Sequence, residues 1–340
     1  MKNILVLLLV LLLLPAVSLA AAKAGPKAAD QVKDGQVIDL TSPRYQKLFA
    51  ELKKKHGYSQ AELDKIFAGV TIKQRVLVLM DSQWEAKPYY DYWPRFITDG
   101  VIRNGKEKLK KHKKILDRVE KELGVERETV VAIWGIETRY GTHKGAFDLF
   151  QTLNTMFDAY PRRSKFYRGQ LVAFLLLCRE NGVDPHGVPA SYGGAFGQTQ
   201  FIPSSFNEYA VDFDHDGRRD VWKSEADVLG SIANYLRRFG WRLDAPVYAE
   251  IGPKLKSSVL TKAYKKGRKG RVSVTQVAKA QGLKKMPAAP GGKKVAIVGL
   301  ELDKKGAMRY VAGYPNFQAI TAWNNSNRYA MAVSELAEKL

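Results

Sequence analysis

The chain has 340 residues, 45% of them apolar and one of them cysteine, so it can bury a large core, divides by size into two or three subdomains, and cannot rest on internal disulfides. Its 55 lysines and arginines against 34 acidic residues give a formal charge of +21, a field that attracts polyanions and repels cationic partners.

Residues 1–20 read as an export signal: Lys2 and Asn3 open it, residues 4–14 are unbroken apolar, and Ser18-Leu19-Ala20 offers small residues for cleavage near Ala21. The apolar run is short for a membrane span, and Pro15 favours cleavage over an anchor, which is the alternative. No cysteine follows to take a lipid, so a soluble periplasmic protein is expected in a Gram-negative host. Cleavage removes only Lys2, leaving +20 (21 − 1). Export turns the expected partner from nucleic acid to carboxylate-bearing cell-wall polymers or anionic envelope surfaces; a charge that merely keeps the protein soluble is the plainer alternative.

Residues 21–38, rich in Ala and Lys, read as a flexible leader. A helical region is predicted over 39–125, with Leu109, Leu116, Val119 and Leu123 at helical spacing and an aromatic cluster of Tyr89, Tyr90, Tyr92 and Trp93 that serves either packing or sugar stacking. Over 126–241 helices alternate with Gly-rich turns. One is read from Tyr167, Leu171, Phe174, Leu175 and Cys178; another spans 227–238 and stops at Gly240. Residues 242–312 are Lys-rich and broken by Gly and Pro, with a strand-like run at 295–302 and a short helix near 274–281: a small mixed α/β appendage. Residues 313–340 return to helix, with Tyr329, Val333, Leu336 and Leu340 on one face. The fold class is mainly α.

The run from Thr129 to Gly141 is an apolar helix carrying one acid, Glu137, near its C-terminus. Partial burial and the negative end of the helix dipole both favour the protonated carboxyl group, as a general acid requires; Arg139 would oppose them if it reached the carboxylate. By itself the pattern is weak, because a glutamate in the last helical turn is usually a solvated surface residue.

Ile136-Glu137-Thr138-Arg139-Tyr140-Gly141 resembles the E-T-x-x-G signature of the lytic murein transglycosylases of the membrane-bound transglycosylase B family, a glycoside hydrolase family 103-like group. Further blocks follow in that family's order: Tyr160-Pro161-Arg162-Arg163, the run from Gly194 to Ser204, the run from Gly230 to Tyr235, Tyr314-Pro315-Asn316-Phe317, and Asn324 through Val333. The resemblance covers residues 92–340 and is weakest over 242–311.

The resemblance implies a lysozyme-like α+β catalytic core over 126–241, flanked by the N-terminal helical region and the appendage, with 313–340 returning to the cleft. It implies cleavage of the β-1,4 bond between N-acetylmuramic acid and N-acetylglucosamine in peptidoglycan glycan strands. Glu137 would protonate the leaving oxygen, then take the proton of the muramyl C6 hydroxyl as that oxygen closes a 1,6-anhydro ring. An internal nucleophile removes the need for a second carboxylate; Asp148 or Asp158 within about 5–10 Å across a cleft would favour hydrolysis instead. No cofactor is needed for catalysis.

The bare backbone from Ser191 to Gly197 would let a sugar approach, and Gln200 offers an amide near Glu137; a tight structural loop is the alternative. Ser205 and Glu208 have capping-box spacing. By pattern Tyr235 and Tyr329 are core positions; the resemblance implies cleft aromatics. Trp323 stands where the family usually has tyrosine, so stacking survives and a hydroxyl contact is expected to be lost, while Asn324 is a polar wall. Arg162 and Arg163 would meet stem-peptide carboxylates, or form a solvated corner.

Asp212, Asp214, Asp216 and Gly217 match the first part of a calcium loop, but Lys223 occupies the place of the usual closing glutamate. The resemblance implies a longer loop closed by Asp227, with Arg218 giving a backbone carbonyl and Ca2+ purely structural; an Asx-rich turn with Asp227 capping a helix is the alternative. Rival functions are a hydrolytic muramidase, a non-catalytic peptidoglycan-binding protein, and a basic envelope adaptor acting through residues 242–294.

Overall fold

The computed structural model of the chain describes residues 27–82 and 87–340; the expected export signal and residues 21–26 of the leader lie outside them. The described residues begin within the segment expected to be a flexible leader, and they are structured. A 3-10 turn at Ala28–Gln31 buries Ala29, and Gln74 Nε2 donates to the carbonyls of Ala29 and Val32 at 2.8 and 3.0 Å. Packing supplied by a distant helix overrides the local composition.

The N-terminal region is helical, as expected. Helix α1 (Pro43–His56) opens with proline and ends on left-handed Gly57; Tyr45, Leu48, Phe49 and Leu52 line its buried face at i, i+3, i+4 and i+7. It is followed by α2 (Gln60–Phe67), α3 (Gln74–Asp81) and α4 (Tyr89–Tyr92). This region has no core of its own. Tyr45 donates to Asn154 Oδ1 at 2.9 Å, and one hydrophobic cluster runs from Ala29 to Leu336. Tyr89 is buried by packing, whereas Trp93 is exposed.

Helices α5 (Asp99–Lys111) and α6 (Lys113–Leu123) lead into α7 (Arg127–Thr138), the centre of the molecule. Every residue of α7 from Thr129 to Ile136 is buried, so it shows little amphipathic pattern. Strands β1 (Phe147–Asp148) and β2 (Pro189–Ala190) pair antiparallel around α8 (Leu149–Ala159) and α9 (Ser164–Asn181). Tyr167, Leu171, Phe174, Leu175 and Cys178, the stripe that predicts α9, are all buried, and burial pushes the Cys178 thiol up to about 12. Helix α10 (Pro203–Tyr209) starts on Ile202 without a side-chain cap, so the expected Ser205 capping box does not form; Ser204 N–H donates to the Gln170 side chain instead. Helix α11 (Glu225–Arg238) completes the central bundle.

Strand β3 (Tyr248–Gly252), helices α12 (Ser258–Lys265) and α13 (Val274–Gln281), and strands β4 (Ala296–Glu301) and β5 (Met308–Gly313) form the mixed appendage. Its antiparallel sheet runs β3-β5-β4, and Ile251, Leu260, Val272, Val277 and Ile297 form a second core. The chain then re-enters the bundle as α14 (Pro315–Trp323) and α15 (Asn327–Lys339), with α15 packed on α7. Tyr329, Val333 and Leu336 are buried, as their spacing predicts.

Close approach to α7 depends on one glycine: a Cβ on Gly135 would lie 2.7 Å from ring atoms of Tyr140. In an exposed helix alanine is better than glycine by up to about 1 kcal/mol, whereas forcing a methyl into a packed core costs about 1–3 kcal/mol. Gly135→Ala is therefore expected to lower the urea midpoint by a net loss of about 1–2 kcal/mol. A midpoint at or above wild type would show that α7 and Tyr140 are not tightly packed.

Candidate active site

Helix α7 ends in an uncommon way, with Arg139, Tyr140 and Gly141 all at positive φ (49°, 60° and 86°). Three interactions hold this turn. The Gly141 N–H donates to Thr138 Oγ1 at 2.9 Å, the Tyr140 hydroxyl donates to the Val101 carbonyl at 2.8 Å, and buried Gln198 lies beneath. Gln198 accepts from the Trp134 indole at 3.0 Å and donates to the Trp222 carbonyl at 3.1 Å. A Cβ on Gly141 would lie 2.2 Å from Gln198 Oε1, so backbone conformation and space both require glycine there. The E-T-x-x-G spacing is thus the covalent form of a hydroxyl-capped, glycine-closed helix end.

That end presents Glu137, which is partly exposed beside neighbours that are buried. Glu137 Oε1 accepts from the indole N–H of Trp323 at 2.9 Å and from the hydroxyl of Tyr329 at 2.5 Å. Tyr329 is 2% exposed; burial first, and the nearby Glu137 charge second, push its hydroxyl well above the usual phenol range, so it stays a donor. Ser326 Oγ accepts the Tyr329 N–H at 3.2 Å and fixes the start of α15. Trp323 restores a donor where loss of a hydroxyl contact was expected, because the indole edge carries an N–H.

Tyr235 is buried one layer below. Its hydroxyl donates to the Ala322 carbonyl at 2.7 Å, and its ring lies 4.8 Å from that of Trp323 and 5.8 Å from Phe201. Phe201 also lies 5.0 Å from Trp323, so the three rings form one cluster. Asn324 caps α14 and its carbonyl accepts the Ser326 N–H at 2.6 Å. Arg139 is exposed and borders, with Arg95, Phe96, Val101, Gly135 and Ile136, a hollow of about 250 Å³.

Ser191 and Gln200 shape their own loops. Ser191 Oγ accepts the Ala195 N–H at 3.1 Å; Gln200, at φ 50°, gives its amide to the Gly197 carbonyl at 3.0 Å. Arg162 is held by Asp81 at 2.5 Å and by the Tyr160 hydroxyl at 2.9 Å, while Arg163 lies over the Phe166 ring at 4.7 Å. The acids considered as second carboxylates have other partners. Asp148 caps α8 through Gln151 N–H and accepts from Gly187 N–H, both at 2.7 Å, and Asp158 faces Arg44 at 3.6 Å.

The acidic loop brings carboxylate oxygens of Asp212, Asp214 and Asp227 within 4.8 Å of one another. Ser224, not Asp227, caps α11; buried Asp227 instead accepts the N–H groups of Phe213 at 2.7 Å and Asp220 at 2.6 Å across the loop. Asp216 lies outside the trio and accepts the Arg218 N–H at 2.9 Å, and the Lys223 N–H donates to Asp220 at 2.9 Å. Three mutually repelling carboxylates in an all-oxygen set fit a hard cation.

Thr138 and Gln198 were not singled out from the sequence. Gln198 and Gln200 share one short block, and only the fold decides which amide turns inward.

Residues 41–338 match the family model described as "Transglycosylase SLT domain". The chain is 34% identical over 307 residues to the membrane-bound lytic murein transglycosylase B of Escherichia coli strain K12, covering 87% of this chain and 82% of that one. The structure is similar to the E. coli lytic transglycosylase Slt35 in complex with calcium, with 31% identity, a TM-score of 0.77, and coverage of 90% of this chain and 95% of that one. It is also similar to SltB3 from Pseudomonas aeruginosa in complex with NAG-anhNAM-pentapeptide, with 32% identity, a TM-score of 0.72, and coverage of 86% and 76%.

Proposed function

The chain belongs to the transglycosylase SLT domain family and is a lytic murein transglycosylase of the cell envelope, and on that premise we propose that Glu137 is its single catalytic carboxyl group. The observation that carries this is the pair of donors, Trp323 and Tyr329, on one oxygen of Glu137. Oε1 is engaged by an N–H and an O–H, and Glu137 is the group that gives its proton to the glycosidic oxygen. Protonation of the glycosidic oxygen breaks its bond to muramyl C1 and leaves a carboxylate. Both protein donors bind that charged form more strongly than the neutral acid, which lowers the cost of giving the proton away.

The carboxylate then takes the proton of the muramyl C6 hydroxyl while O6 bonds to C1. The products are a free 4-hydroxyl and a 1,6-anhydro end, the acid is regenerated, and no water is consumed. The NAG-anhNAM-pentapeptide in the SltB3 complex has the chemistry of such a product. Because the acceptor is internal to the substrate, one carboxyl group suffices. Trp323 and Asn324 wall the sugar site, Tyr235 supports that wall, and the Ser191 and Gln200 loops face the glycan. Arg162 and Arg163 supply cations for the peptide branches. Residues 1–20 direct export to the periplasm.

Asp212, Asp214 and Asp227 would hold a structural calcium ion, with the Arg218 carbonyl as the further oxygen that the resemblance implies, while Asp216 shapes the turn through its bond to Arg218 N–H. Bound there, a cation would offset carboxylate repulsion between the loop and Asp227 of α11, and the glycosidic chemistry of Glu137 would not need it.

Glu137→Gln is expected to reduce release of soluble fragments from sacculi by about 10²–10⁴-fold. Wild-type products should carry anhydro ends by mass spectrometry; equal activity, or reducing ends in the wild type, would refute the mechanism. Calcium at about a hundredfold over its dissociation constant should stabilise chelator-treated protein by about 2.7 kcal/mol. Asp214→Asn should weaken that response. No thermal shift and no heat on calorimetric addition would remove the ion from the account.

A further inference from the structure

No acidic residue occurs between Glu250 and Glu301, yet this stretch holds thirteen lysines and arginines, from Lys254 to Lys294. Apart from half-buried Arg271, all of them are exposed. None forms a salt bridge among the described residues. The two acids that bound the stretch are already neutralised: Glu250 pairs with Arg309 at 2.5 Å and Glu301 with Arg328 at 2.7 Å. The appendage therefore carries thirteen uncompensated charges on a lobe with its own small core, an arrangement that self-repulsion disfavours unless a polyanion lies against it.

The lobe adjoins the active site. Arg268 donates to the carbonyl of Thr321 at 2.9 Å, two residues before the tryptophan that binds Glu137. Burial, and then the charge of Arg268, lowers the Arg271 guanidinium below its ordinary value, and neither arginine has a salt-bridge partner among the described residues. A guanidinium group matches a planar carboxylate. A membrane surface fits less well, because peripheral binding needs apolar anchors and Val259 alone is an exposed large apolar side chain among the described residues of this stretch.

We infer that the lobe over residues 254–294 is an electrostatic anchor for the carboxylate-bearing peptides of peptidoglycan, holding the enzyme on its polymer outside the cleft. The inference rests on peptidoglycan being the substrate and is independent of the role of Glu137. The lobe acts on adsorption rather than on bond cleavage. Its contribution falls with ionic strength, as for any contact between exposed charges.

The test is adsorption of full-length protein carrying Glu137→Gln to purified sacculi, with fragment release followed in the same tube so that failure of the catalytic assignment is seen separately. Adding Lys265→Glu, Lys266→Glu, Lys269→Glu, Lys284→Glu and Lys285→Glu is expected to weaken adsorption about tenfold or more at low salt, with the gap closing as salt rises. Sacculi whose carboxyl groups have been amidated should bind the unmodified lobe as poorly as native sacculi bind the five-lysine variant; this arm does not depend on how that variant folds. Undiminished adsorption of a variant with the parent's melting temperature, or equal binding to amidated and native sacculi, would overturn the inference. So would a loss confined to anionic phospholipid vesicles, which would move the partner to lipid.

Discussion

Two hydrogen bonds to one carboxylate oxygen, from the indole of Trp323 and the phenol of Tyr329, tie the end of α7 to the last two helices of the chain. They are long-range contacts, and they make the site a junction between the middle of the sequence and its C-terminus. Neither side could hold the geometry alone. The carboxyl group is fixed by the helix end, and the donors are fixed by the packing of α15 along α7 and by Tyr235 beneath Trp323.

The junction works because the helix end is itself rigid. A carboxyl group in the last turn of an ordinary helix would fray with that turn; here Thr138, Tyr140, Gly141 and Gln198 satisfy or block each way the turn could relax. Buried polar groups stabilise only when every partner is met, and the Gln198 amide meets donor and acceptor at once. The same logic governs the acidic loop, where backbone N–H groups converge on Asp227 and leave three carboxylates facing one point.

Much of this was legible in the sequence because it follows from periodicity and from local motifs. The stripe from Tyr167 to Cys178, the 274–281 helix, the 295–302 strand and the buried face of α15 are all where pattern placed them. The position of Glu137 at a glycine-closed helix end was readable for the same reason. What was not readable depends on which surface meets which. The N-terminal turn is ordered by Gln74, more than forty residues away in sequence; Ser205 forms no capping box because the helix begins at Pro203; and the donor edge of Trp323 replaces a hydroxyl only because its ring is held by Phe201 and Tyr235. Of the two neighbouring glutamines, only the fold reveals that Gln198 carries the internal network.

In the proposed mechanism the protein's own donors, Trp323 and Tyr329, stabilise the Glu137 carboxylate once its proton has left. The most direct measurement is the turnover of Tyr329→Phe on soluble muropeptide substrate, with kcat and KM determined separately. Losing one hydrogen bond to a charged group is worth about 1.5–3 kcal/mol, so kcat should fall about 10–100-fold with little change in KM and an intact thermal transition. A kcat equal to wild type, or a loss confined to KM, would show that the Tyr329 hydroxyl does not stabilise the carboxylate.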